Sequence, residues 1–118
     1  AEHREWLSAR LSGNQKGFSR RLTEIAEYAG TTGQIVTDAF PDFVKSVIAT
    51  RNTVAHPSPL DPYEGERYLY LSNATRWLVR HCLLLQLGLD EPTVTTIIQE
   101  SEAFHTDMIL LQRMNTLR

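Results

Sequence analysis

Along most of the chain, apolar residues recur at intervals of three and four, the spacing that gathers them on one face of an α-helix. Between Gln15 and Ala29 they are Phe18, Leu22, Ile25, Ala26 and Ala29, and Gly30 follows as a C-terminal helix stop. Glu2–Leu11 reads as a shorter helix ahead of it, with Trp6, Leu7, Arg10 and Leu11 on adjacent positions and Ser12-Gly13-Asn14 as its break. Thr31–Thr37 holds β-branched residues but is too short to build a sheet, and is expected to be a linker. The next helix is capped by Thr37 or Asp38 and carries Phe40, Phe43, Val44, Val47, Ile48, Val54 and Ala55. Pro41 falls in its first turn, where a missing N–H does little harm. It should end at His56, because the residue before Pro57 is pushed out of helical geometry.

Pro57–Pro62 has three prolines in six residues and reads as a rigid loop. A long helix is expected from about Tyr63 to Leu87, closed by Gly88. Leu78, Leu83, Leu84 and Leu85 make it apolar over a wide arc, as a central or interface helix would be. Asp90-Glu91-Pro92 then opens a last helical region that runs to about Met114 with a bend near Ser101. Thr93–Ile98 has strand propensity, but a lone strand would lack a partner, so helix is preferred. The pattern predicts an all-α fold: a small up-and-down bundle of about five helices around one long central helix.

Length and composition narrow the class. A chain of 118 residues fits one domain, and 42% apolar residues suffice for a core. It starts at Ala1 in mid-helix pattern, as a domain of a larger protein or a processed N-terminus would. There is no internal repeat and no low-complexity segment. Apolar runs such as Cys82–Leu85 fall far short of the roughly 18 residues of a membrane span, and no secretory apolar stretch opens the chain. No membrane partner is expected, and the compartment expected is the cytoplasm. Cys82, the single cysteine, excludes an internal disulfide and reads as a buried apolar residue rather than a nucleophile.

The net charge of −2 excludes wholesale electrostatic wrapping of nucleic acid. The charges are nevertheless segregated. Lys45 and Arg51 stand without an acid between Phe43 and Leu60, as do Arg67, Arg76 and Arg80 between Arg67 and Leu89. Asp90 to Asp107 holds five acids and no Lys or Arg. The two helices flanking the proline loop therefore make a locally positive zone.

That zone contains Thr50-Arg51-Asn52-Thr53-Val54-Ala55-His56-Pro57. Asn52 and His56 are four apart and share a helix face. Arg51 continues the stripe of Val44, Val47 and Ile48, so it should point toward the packing side. A guanidinium there needs a carboxylate, carbonyls or an anionic ligand. The three side chains together suit phosphodiester chemistry. Arginine binds phosphate bidentately and stabilises charge on its oxygens, and histidine transfers protons near neutrality. Asn52 can orient the histidine or bond the phosphate. With a ribose 2′-hydroxyl as the attacking group, no metal is needed. The competing structural reading is that Arg51 pairs with an acid and His56 caps its own helix end.

Arg51-Asn52-Thr53-Val54-Ala55-His56 resembles the R-polar-x3-H motif of HEPN domains. The placement at a helix end, before a loop and a long helix, looks most like the Apea-type branch. The motif covers six residues, and the helical order extends the resemblance over most of the chain. HEPN domains are small all-α units common in prokaryotic defence and toxin systems. The resemblance implies a metal-independent endoribonuclease without a cofactor. Two protomers would pair with their motifs facing one another, acting on RNA to leave 2′,3′-cyclic phosphate and 5′-hydroxyl ends. Arg51 and His56 would be the catalytic pair, and Asn52 the polar residue after the arginine. No DNA partner is expected. The family also contains members that do not cleave, so a non-catalytic dimerisation or RNA- or ligand-sensing module is the alternative.

Arg76 and Arg80, four apart on the long helix, could line an RNA groove or form a solvated face. Tyr63, Tyr68 and Tyr70 could stack on bases or make core or dimer contacts. His81 could lie beside the arginines or turn inward. His3, His81, His105 and Cys82 lack metal-ligand spacing, so no metal site is expected. No dinucleotide fingerprint, phosphate-binding loop or nucleophile elbow is present.

Overall fold

A computed structural model describes residues 14–55 and 64–116. The expected helix over Glu2–Leu11, the stop at His56-Pro57 and the loop Pro57–Pro62 lie outside the described residues. Among the described residues there are six helices and no strand: α1 Asn14–Tyr28, α2 Gly30–Ala39, α3 Phe43–Ala55, α4 Glu64–Gln86, α5 Glu91–Gln99 and α6 Glu102–Thr116. The long helix α4 packs against all five others. Leu71, Ala74, Leu78 and His81 form its buried stripe at intervals of three and four, with Trp77 beside them.

The expected linker is a helix. Residues Gly30–Ala39 form α2, even though Gly30, Thr31, Thr32 and Gly33 are poor helix formers. Packing overrides propensity here. Thr32, Gly33 and Val36 are buried against α1 and α4. Gly33 lies so close to α1 that an added Cβ would stand 1.8 Å from the carbonyl oxygen of Ala26. Gly30, with φ of 55°, turns the chain between α1 and α2 in a conformation only glycine adopts freely.

Pro41 does not lie in the first turn of a helix. Phe40-Pro41-Asp42-Phe43 forms a turn, closed by the Phe43 N–H on the Phe40 carbonyl at 3.0 Å. Proline suits its second position because φ is fixed there. The turn drives both phenylalanines into the core. Helix α3 then starts at Phe43, with the Ser46 N–H on the Asp42 carbonyl at 2.8 Å.

The later boundaries follow the sequence closely. Gly88, with φ of 100°, closes α4 in a Schellman motif: its N–H meets the Leu85 carbonyl at 3.0 Å, and the Leu89 N–H meets the Leu84 carbonyl at 3.2 Å. Asp90 caps α5 by accepting from the Thr93 N–H at 2.9 Å. Thr93–Ile98 is helical, and the chain breaks at Ser101 before α6. Val94, Ile98, Phe104, Met108 and Leu111 join these two helices to the core. No helix among the described residues is long and apolar enough to cross a membrane.

Candidate active site

The C-terminal half of α3, as far as Arg51, forms one wall of an open cleft of about 580 Å³. Val47, Thr50 and Arg51 come from α3, and Phe18 from α1. The facing wall is one side of α4, where Tyr68, Ser72, Arg76 and Arg80 succeed one another at intervals of four. Leu71, Thr75 and Val79 complete that wall. The cleft thus combines apolar side chains, hydroxyls and three guanidinium groups. Arg51, Arg76 and Arg80 are brought together although 29 positions separate the first from the last.

Arg51 is exposed, which corrects the expectation that it points into the packing side. Its guanidinium carbon lies 4.4 Å from the centre of the Phe18 ring. Among the described residues its partner is an aromatic face, not a carboxylate. Arg80 is held the same way, 4.8 Å from the centre of the Trp77 ring. A ring beneath a guanidinium orients it by cation–π attraction and leaves its N–H edges open to an anion. Among the described residues, no carboxylate pairs with Arg51, Arg76 or Arg80. Three cations around one partly apolar cleft, unpaired among the described residues, focus a positive potential there, whatever the net charge.

Asn52 lies in the last turn of α3, and His56 lies outside the described residues. The cleft therefore gathers three of the expected site residues: Arg51, Arg76 and Arg80. Phe18, Thr50 and Ser72 also line it, although nothing in the sequence marks them as functional. Phe18 carried only a helical core signal, and nothing in its spacing could link it to Arg51. Tyr68, for which the sequence leaves base stacking and core or dimer contacts open, lines the cleft and is 53% exposed.

His81 turns inward, away from the arginines. It is fully buried, with Nδ1 2.8 Å from the Thr32 hydroxyl and Nε2 3.0 Å from the Glu91 carboxylate. When the Nε2–H donates to Glu91, Nδ1 accepts from Thr32. The Thr32 hydroxyl is itself buried, so this chain of bonds ties α2, α4 and α5 together without facing a substrate. Cys82 is partly buried, and its thiol pKa is raised by desolvation and, secondarily, by the Glu91 carboxylate. That disfavours the thiolate and fits a packing role. No group of three His, Cys, Asp or Glu side chains among the described residues could hold a metal ion.

No curated protein and no solved structure matches the chain. A family model described as Apea-like HEPN matches residues 1–93, a span that includes the motif Arg51–His56 and both main walls of the cleft. With that match extending over most of its 118 residues, the chain belongs to the Apea-like HEPN family.

Proposed function

We propose that this domain is a metal-independent endoribonuclease whose reacting groups are Arg51 and His56, assisted by Asn52. The observation that carries the reading is Arg51 itself. It belongs to the HEPN motif, it opens on a cleft, and its guanidinium is oriented by a ring while no acid among the described residues neutralises it.

The chemistry follows from the side chains. His56, neutral, takes the proton from a ribose 2′-hydroxyl, and the 2′-oxygen attacks the adjacent phosphorus. A bond forms between that oxygen and phosphorus as the bond to the 5′-oxygen breaks. A protonated histidine returns a proton to the departing oxygen, leaving a 2′,3′-cyclic phosphate and a 5′-hydroxyl. Arg51 stabilises the charge that builds on the non-bridging oxygens. Asn52 orients His56 or bonds the phosphate. Arg76 and Arg80 hold the RNA backbone. Two protomers with facing motifs would supply one histidine as base and the other as acid, and a defence or toxin role in the cytoplasm of a prokaryote is the setting that suits such an activity.

The test is RNA cleavage in excess EDTA at high protein concentration, comparing the wild type with His56→Ala. Wild-type cleavage to cyclic-phosphate ends, lost in a folded variant, is the expected result. Equal cleavage by both proteins refutes the assignment of His56. If neither the domain nor its full-length parent cleaves RNA, the domain is a binding module and the enzymatic reading fails.

A further inference from the structure

The cleft is chemically mixed in a way that phosphate chemistry alone does not require. A phosphate site needs cations and donors, whereas Phe18, Val47, Leu71 and Val79 give this cleft apolar walls. A purely apolar ligand would not call for three guanidiniums that no carboxylate among the described residues pairs. A nucleotide presents both surfaces, a flat base with two π-faces and an anionic phosphate.

Three further observations fit that ligand. Tyr68, which lines the cleft, is 53% exposed, and its ring stacks on no other aromatic ring among the described residues. Thr50 and Ser72 line the cleft, and their hydroxyls have no hydrogen-bond partner among the described residues. By contrast, Thr75 already gives its proton to the Leu71 carbonyl at 2.8 Å and can only accept. Finally, a volume of about 580 Å³ lies within the range of roughly 300–1,000 Å³ typical of small-ligand sites.

We infer that the cleft is a nucleotide subsite: one base stacks on Tyr68, its edge meets the hydroxyls of Thr50 and Ser72, and its phosphate is held by Arg76 and Arg80. The inference rests on the ribonuclease reading only in placing that nucleotide within an RNA chain next to the bond to be cut. The binding chemistry is independent of cleavage. A free nucleotide offers the same groups, so the test separates the two sources.

The test uses His56→Ala protein, which binds without turnover, followed by NMR at the Tyr68 ring and the arginine side chains. Adenosine 3′-monophosphate, uridine 3′-monophosphate, the matching nucleosides and inorganic phosphate are titrated separately. A nucleotide is expected to shift cleft resonances saturably and to bind more tightly than either its nucleoside or phosphate. Tyr68→Ala should weaken nucleotide binding between about fivefold and a hundredfold, the range for losing one base–aromatic stack, and leave phosphate binding unchanged. Tyr68→Phe should restore it. Arg76→Ala and Arg80→Ala should weaken nucleotide and phosphate alike and reduce the salt dependence.

A 2′-O-methylated RNA oligonucleotide should displace the mononucleotide. Nucleotide binding that such RNA does not displace overturns the placement within RNA and leaves a free nucleotide as the ligand. Absence of nucleotide shifts in the cleft, or cleft resonances that respond only to protein concentration, overturns the subsite and assigns the cleft to another occupant, such as a second copy of the chain. Nucleotide binding by a wild type that cuts no RNA sustains the subsite while the enzymatic reading fails. RNA cleavage by a protein whose cleft binds no nucleotide does the reverse.

Discussion

The buried Thr32–His81–Glu91 chain of hydrogen bonds makes a quantitative test of what holds α2 and α5 on α4. Thr32 and His81 are both fully buried and meet at 2.8 Å. Thr32→Val keeps the side-chain shape and removes the hydroxyl. The Nδ1 lone pair of His81 is then left in the core without a donor, at a cost of about 1–3 kcal/mol. His81→Leu strands the Thr32 hydroxyl at a similar cost. It adds little at Glu91, whose side chain is 44% exposed and regains water. The double variant removes both polar partners and fills the space with apolar atoms, an exchange that can be nearly neutral. The cycle should therefore be strongly non-additive, with a coupling of about 1–2 kcal/mol. For a domain of this size, each single substitution should lower Tm by roughly 5–15 °C, and the double should fall by less than the sum. Urea denaturation of the four proteins measures this directly. Additive losses, or single variants within about 0.5 kcal/mol of wild type, would refute the idea that this contact is a coupled, desolvated pair.

The remaining predictions address separate features. Gly33→Ala should cost at least about 3 kcal/mol in denaturation, because its Cβ would meet the Ala26 backbone oxygen at 1.8 Å, whereas Gly17→Ala, with nothing within 4 Å, should gain roughly 0.5–1 kcal/mol. Cys82 should alkylate more slowly than a free cysteine at pH 8, since burial and then Glu91 raise its pKa, and denaturant should abolish the difference. Asp90 has a lowered pKa because the Thr93 side chain and then the Thr93 N–H bond its carboxylate. The stabilisation it gives is therefore present above its unfolded value and lost as pH falls through the lower folded value, so wild type and Asp90→Ala should differ in Tm at pH 7 and converge in acid. Phe18→Leu should leave the fold intact and reduce RNA cleavage about two- to fivefold, the worth of one exposed cation–π contact; an unchanged rate would mean that the ring does not position Arg51.

Much of the architecture was legible because its signals are local. The stop at Gly88, the cap at Asp90 and the break at Ser101 are each written in a few adjacent residues, and the structure places them there. Helix α2 was illegible for the opposite reason. Its sequence, Gly-Thr-Thr-Gly, disfavours helix locally, and only close packing on Ala26 and burial of Thr32 and Val36 stabilise it. Pro41 misled similarly, since proline is equally at home in a helix first turn and in the second position of a tight turn. The motif Arg51–His56 could be read because it is contiguous. Its surroundings could not, because Phe18, Tyr68 and Arg80 reach Arg51's cleft from two other helices.

The charge pattern shows how tertiary structure changes the meaning of composition. A net charge of −2 gives no hint of an anion site, and the acid-rich stretch from Asp90 to Asp107 makes one look less probable still. Yet three of those five acids are already committed within the fold. Asp90 caps α5, Glu91 bonds His81, and Asp107 accepts from the Trp77 indole N–H at 2.7 Å. That last bond anchors the ring on which Arg80 stacks, so an acid that lowers the net charge helps hold a cleft arginine in place without pairing with it. Meanwhile Arg51, Arg76 and Arg80 keep their charge unpaired among the described residues. An approaching anion responds to the nearest unpaired charges over about a Debye length, not to the sum over the chain. Asp107→Ala, which removes the acceptor, should accordingly shift the Trp77 indole and Arg80 side-chain NMR signals, whereas Asp107→Asn, which keeps an acceptor oxygen, and Glu100→Gln at an exposed position should leave them nearly unchanged.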